Sequence, residues 1–341
     1  MLKPARFAAI TVAALTTLSA CSENPLAPAP ERSASNLASS RAPAPHYTFT
    51  PLDVPGAVQT IPSGINANGE VVGWYVQAGV TRGFTYLNGT FTPNIVYPGA
   101  SLTQLRGIAP NGDIAGSYRM PGEPTVNFHG FVLTTDGSFI PVNFPGHTSH
   151  ISQRILADGT ILGCFHDWDQ MVTMRGVKIT REAYTSNGNA SDANAYSSID
   201  AFGSMTNGGT PDGNTRTGLY TDMESGLPRG FVIDHGTFTG FDVPASDGTN
   251  AWDMNPSGTI VGLFADLATE SIHGFVLEHW RVSDGAVVGQ YTTIDYPLTA
   301  TTNAAYTDVF GINPQGDLVG KYRATSPTGP AHGYIATRQS E

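Results

Sequence analysis

The chain has 341 residues, 39 of them glycine, with 13% charged residues and a formal net charge of −11. An acidic body with scattered Lys and Arg offers no basic face for phosphates, which argues against nucleic acid as a partner. After the first residues no apolar run is long enough to cross a membrane as a helix, and the remaining length is ample for a packed core.

The chain begins MLKPARFAAITVAALTTLSAC, a positive start (Lys3, Arg6), an apolar run and then small residues. That order reads as a secretion signal, too short to span a bilayer. Leu18-Ser19-Ala20-Cys21 resembles the bacterial lipobox, which implies a lipid on the Cys21 sulfur and anchoring in the cell envelope. Ser22 follows where an Asp would imply inner-membrane retention, so the resemblance implies the outer membrane. Residues 1–20 are therefore the expected lipoprotein signal peptide. Residues 21–45, the anchored cysteine and a Pro/Ala/Ser-rich stretch, cannot bury enough surface to fold and form a tether reaching ~70 Å. With Cys21 lipidated, Cys164 has no disulfide partner.

From residue 46 onward one phrase recurs: GINANGEVVGWY (64–75), GIAPNGDIAGSY (107–118), RILADGTILGCF (154–165), the stretched SMTNGGTPDGNTRTGLY (204–220), DMNPSGTIVGLF (253–264) and GINPQGDLVGKY (311–322). Each is followed by Arg or His, Gly and usually an aromatic, and then by a Gly turn and a last β-rich run such as TFTGFDVPA. Four short segments per copy, rich in Val, Ile, Phe, Tyr and Thr and separated by Asn-Gly or Asp-Gly turns, are strands joined by hairpins. Copies about 43 to 58 residues apart with four strands each predict a six-bladed β-propeller of four-stranded blades. The blades fall at 58–99, 100–147, 148–201, 202–245, 246–298 and 299–341. The last copy lacks its fourth strand, and an orphan fourth strand stands at 46–57. The N-terminal strand is thus expected to complete the C-terminal blade and close the ring over residues 46–341.

The pattern resembles the bacterial extracellular HAF-type repeat family, whose units read G-I-N, N-G, I-V-G-x-Y, H-G-F and F-T-x-I-D-x-P-G. The likeness covers about 46–337 and implies a propeller-like fold at the cell surface, with no reaction attached.

Strand order sets the faces. Loops joining fourth to first and second to third strands share one, the upper; the tight Gly turns lie on the other. Long loops on a rigid frame favour the upper face for binding. Arg82, His129, Arg175, Arg229, His273 and His332 recur before the third-strand Gly. They are read as structural partners of fourth-strand acids and amides such as Asp53, Asn143, Asp200, Asp242 and Asp295. The recurring Tyr75, Tyr118, Phe165, Tyr220, Phe264 and Tyr322 read as packing between blades.

The third copy breaks the pattern with PGHTSH (145–150) and CFHDWDQM (164–171). His147, His150, His166, Asp167, Trp168 and Asp169 are the candidate ligand-binding residues; imidazoles and carboxylates there would suit a transition metal, and Trp168 a sugar ring. No cofactor is otherwise implied, and no catalytic residue stands out: P-loop, nucleophile elbow, HExxH and EF-hand patterns are missing. The expected function is non-catalytic binding of a protein, glycan or small ligand through upper-face loops by a monomer anchored to the membrane. The alternatives are a polysaccharide-active hydrolase or lyase, which would draw carboxylates from Asp167, Asp169, Asp222, Glu224, Asp266 or Glu270, and a purely structural envelope protein.

Overall fold

The computed structural model describes residues 44–167, 173–186 and 195–339. The signal peptide, Cys21 and most of the tether lie outside the described residues, as do Trp168 and Asp169. The fold is all-β, with four sheets of eight, four, four and eight strands.

Each of the first five sequence copies is one antiparallel run of four strands, and the sixth is a run of three. In unit one these are Gln59–Ile65, Val71–Gln77, Val80–Leu87 and Thr90–Ile95. Units one and two form one eight-stranded sheet through a single parallel pair, Thr81 with Leu102, and units five and six form the other through Ile272 with Tyr306. Units three and four are separate four-stranded sheets. The N-terminal strand Tyr47–Pro51 lies antiparallel on the last strand, His332–Arg338, with Tyr47 opposite Arg338 and Pro51 opposite Tyr334. It supplies the fourth strand that the last copy lacks.

Burial falls from first strand to fourth. Ser149–Ile155 is buried throughout, whereas Thr90–Ile95 is mostly exposed. A strand enclosed on both faces has to satisfy whatever polar groups it carries, and the first strands carry paired charges: Arg154 with Asp253, and Asp308 with Lys321. One contact explains two letters of the repeat. A Cβ on Gly262 would sit 2.8 Å from the Phe275 ring, so the Gly of V-G-x-Y exists to admit the aromatic of H-G-F from the next strand. The turn glycines meet a different demand: Gly112 and Gly316 have φ of +93° and +89°, where a side chain is strained.

Between units the same staple returns. The backbone N–H at the end of a fourth strand donates to a Thr hydroxyl in the next first strand: Tyr97 to Thr103, Val243 to Thr249, Tyr296 to Thr307, each at 3.0 Å. Val54, beside the N-terminal strand, donates to Thr60 at the same 3.0 Å. Stacked rings accompany it, Tyr97 on Tyr118 at 3.6 Å and Tyr296 on Tyr322 at 3.7 Å.

Unit three departs from a pure strand pattern. A short helix, Arg181–Thr185, sits between its third and fourth strands, where no helical periodicity predicts one. It is held by tertiary contact: Tyr184 Oη donates to the Gly159 carbonyl at 2.7 Å and Ala183 is fully buried.

Candidate functional site

The recurring basic and imidazole positions have several environments. His332 Nδ1 lies 2.9 Å from Asp53, His273 Nδ1 2.6 Å from Asp295, and Arg229 Nη2 2.8 Å from Asp242. Arg175 Nε is 3.8 Å from Asp200. His129 turns instead to Glu123, at 2.8 Å, and not to Asn143. Arg82 has no hydrogen-bonded or ionic partner among the described residues: register places Val96 where the other units carry the acid or amide. The hydrogen bond that His273 donates to Asp295 raises the pKa of the imidazole, so that side chain favours its charged form.

The unit-three cluster converges only in part. His147 Nδ1 meets Asp167 at 3.1 Å, and the imidazole stacks on Phe165 at 3.6 Å. Asp167 also accepts from the Thr148 N–H at 3.1 Å. His150 and His166 turn inward. His150 is buried against Ser152 Oγ at 3.1 Å, and burial pulls its pKa down to about 3. His166, fully buried, meets the Val126 carbonyl at 2.7 Å and is likewise drawn down by burial. Among the described residues no three His, Cys, Asp or Glu side chains gather as a metal cluster. Register explains this: His150 and His166 lie within the paired stretch Ser149–Ile155 and Ile161–His166, whose side chains are consumed by packing. Cys164, beside them, is fully buried and its thiol is pushed up to about 12 by that burial, an inert environment.

Three carboxylates of the enzymatic alternative, Asp167, Asp222 and Asp266, are engaged in hydrogen bonds. Asp222 lines a groove of about 400 Å³ between units four and five with Glu224, Asp242 and Asp247. It accepts from the Ser225 and Glu224 N–H groups and from Arg229 at 3.3 Å, which hold it below the usual carboxylate range. Asp266 is held low by Thr269. A glycosidic general acid needs the opposite shift.

The centre of the fold is chemically richer than any loop. Every first strand carries a bulge, and the extra residues are Ser63, Arg106, Gln153, Asn207, Trp252 and Phe310, six different side chains. The next position is Gly in four units, Gly64, Gly107, Gly208 and Gly311, because the neighbouring first strand touches there. A Cβ on Gly64 would lie 3.1 Å from Gly107 Cα, and one on Gly311 would lie 3.1 Å from Gly64 Cα.

The two exceptions are Arg154 and Asp253, and they meet: Arg154 Nε is 3.0 Å from Asp253 Oδ1. The Arg154 guanidinium donates to the carbonyls of Arg106 (2.6 Å), Gln153 (3.1 Å), Trp252 (3.4 Å) and Phe310. Asp253 accepts in addition from the N–H groups of Met254 (2.9 Å) and Ile312 (3.2 Å). Burial pushes the Asp253 carboxyl up while Arg154 pulls it down. The pair plugs the middle of the fold and separates two regions.

On the side of the Gly turns is a cavity of about 100 Å³ rimmed by Ala67, Pro110, Ala157, Pro211, Pro256 and Pro314, the same turn position from each of the six copies. On the opposite side, Trp74, Trp252 and Phe310 belong to one cluster, with Phe310 and Trp252 5.3 Å apart. Arg106 lies over Trp74 at 5.4 Å and Lys321 over Phe310 at 4.9 Å. The repeat alignment starts one letter after the variable bulge residue, so a reading by motif passes over it. The signal was there, in the letter before five of the six phrases and inside the stretched fourth one.

No family model and no curated protein matches the chain. Among solved structures it is similar to a protein of unknown function from Dyadobacter fermentans (TM-score 0.54, 12% identity, 87% of this chain and 100% of that one). It is also similar to a gluconolactonase from Xanthomonas campestris (TM-score 0.47, 14% identity, 86% and 90% of the chains). A third likeness is to the β-propeller domain of the trilobed protease from Pyrococcus furiosus (TM-score 0.42, 9% identity, 83% and 98%). At these identities the first likeness speaks to the course of the chain in space and to no chemistry.

Proposed function

We propose that the chain is a six-bladed β-propeller, held to the bacterial envelope through a lipid on Cys21, that binds its ligand without catalysis on the face opposite the Gly turns. Three observations support the closed ring. The junction of units six and one carries the same threonine staple as three other junctions. Its first strands touch at Gly311 and Gly64. One central cavity takes the equivalent turn residue from every unit.

The observation that carries the functional reading is the set of bulge side chains. Ser63, Arg106, Gln153, Asn207, Trp252 and Phe310 differ in every copy; Ser63 and Asn207 both brace the next unit through the Leu105 and Ala251 carbonyls, and the change of side chain at a position with one backbone role supports recognition at the others. Asp222 and Asp266, hydrogen-bonded and held below the usual carboxylate range, weigh against the hydrolase. The His147–Asp167 pair is part of the same face and a secondary contact for a large ligand.

The test is a screen of the purified full chain against immobilised glycans and envelope proteins. Binding that is lost on replacing Trp252 by Ala supports the reading. A flat response to both classes overturns it in favour of a structural envelope protein. Incorporation of labelled fatty acid by the wild-type chain and not by Cys21→Ala tests the anchor.

A further inference from the structure

We infer that the central site takes a hydroxylated carboxylate, an acidic sugar of the uronate class, with Arg106 as the carboxylate-binding residue; this rests on the binding function proposed above.

The first argument is charge. Three cations stand near the centre. Arg154 is paired with Asp253, and Lys321 Nζ with Asp308 at 2.8 Å. Arg106 has no ion pair among the described residues. Its guanidinium donates to two neutral amide oxygens, Gln153 Oε1 at 3.0 Å and Gln104 Oε1 at 2.6 Å, and lies over Trp74. Two amide acceptors orient the fork without neutralising it, and its Nε has no acceptor. An oriented, unneutralised guanidinium beside an indole, in a chain of net charge −11, is a site for a planar anion.

The second argument is the set of unpartnered polar atoms on the inner strands of three units. Asn207 is fully buried; its Nδ2 donates to the Ala251 carbonyl at 2.8 Å, which fixes the amide's orientation and leaves Oδ1 without a donor. Ser117, fully buried and cross-strand from Gln104, has a hydroxyl with no partner. Trp252 Nε1 is a donor with no acceptor. Buried polar groups are ordinarily satisfied, so orphans on the first and second strands of units two, four and five point to a ligand. They also select among ligands. Phosphate or sulfate offers acceptors alone and would leave Asn207 Oδ1 unsatisfied. Sugar hydroxyls both donate and accept, and a pyranose ring has a face for Trp74 or Trp252.

Access follows from the strand order. At the level of Gln104 and Ser117, Trp74, Gln104, Leu219, Leu263 and Lys321 are each partly exposed although they sit on inner strands.

The experiment is isothermal calorimetry of the full chain with trigalacturonate, its neutral counterpart galactotriose, and inorganic phosphate. Trigalacturonate is expected to bind at least tenfold more tightly than the other two. Arg106→Gln is expected to abolish that preference with an unchanged thermal midpoint. Ser117→Ala, a smaller change in the same site, should weaken binding several-fold and keeps the test open should Arg106→Gln fail to fold. Equal binding of phosphate and trigalacturonate would overturn the sugar, leaving a plain anion site. Binding of trigalacturonate unaffected by both substitutions would overturn the site. Binding of neutral glycans with none of trigalacturonate would overturn this inference while leaving the broader binding function intact.

Discussion

The two sides of the Arg154–Asp253 plug are built from the same six strands and differ in kind. On the Gly-turn side each unit contributes the equivalent residue, and the rim is four prolines and two alanines. On the other side each unit contributes a different one, from Ser63 to Trp252. Repetition makes walls; departure from repetition makes chemistry. The contrast teaches that the copies are under one constraint where neighbouring strands touch and released from it a single residue earlier, at the bulge.

Breaking the plug is the severest test of that contrast. Asp253→Ala leaves Arg154 buried without its carboxylate, and a loss of about 3–5 kcal/mol is expected by urea denaturation. The double variant Arg154→Met, Asp253→Leu should recover most of the loss, because the frame needs filling there and not charge. No recovery would show that the four carbonyls depend on Arg154 itself.

A second non-repeated group is read by acid. The unfolded chain takes up a proton at His150 near 6.5 and the folded chain only near 3, so stability is complete above that window and falls as pH drops through it. His166 shifts in the same direction. His150→Gln should flatten the acid limb of a stability–pH profile; an unchanged limb would assign acid sensitivity to other groups.

Substitutions at repeated positions should cost less. Gly208→Ala places a Cβ 2.7 Å from the Asp253 carbonyl carbon, so backbone must move, at about 1–3 kcal/mol in thermal denaturation. The mildest is His332→Ala. Its pair with Asp53 is more than 40% exposed on both sides, and an effect within about 1 kcal/mol is expected. A larger value would mean that the N-terminal strand depends on this pair as well as on its ladder.

The strands were legible from the sequence because short runs rich in Val, Ile, Phe, Tyr and Thr and Asn-Gly turns are local signals, and the six copies reinforce one another. The missing fourth strand of the last copy could be matched to residues 46–57 by pattern alone. The short helix Arg181–Thr185 could not, since its stability comes from Tyr184 reaching Gly159. The expected cluster in unit three converges only in part for a related reason: loop adjacency brought His147 to Asp167, but strand register turned His150 and His166 into the interior. The central site was hidden by the motif itself, which begins one letter after the residues that vary, and nothing local says that Arg106 will face Trp74.

Arg154 binds a carbonyl 156 positions further along the chain, that of Phe310. Its guanidinium meets all its acceptors only when strands from four units have arrived, and any fragment lacking one of them leaves a donor of a buried ion pair without its carbonyl. The chain therefore cannot melt copy by copy as an open array does. Its unfolding should be all-or-none, and its folding slow for its size, because the contact that completes the centre is among the most distant in sequence.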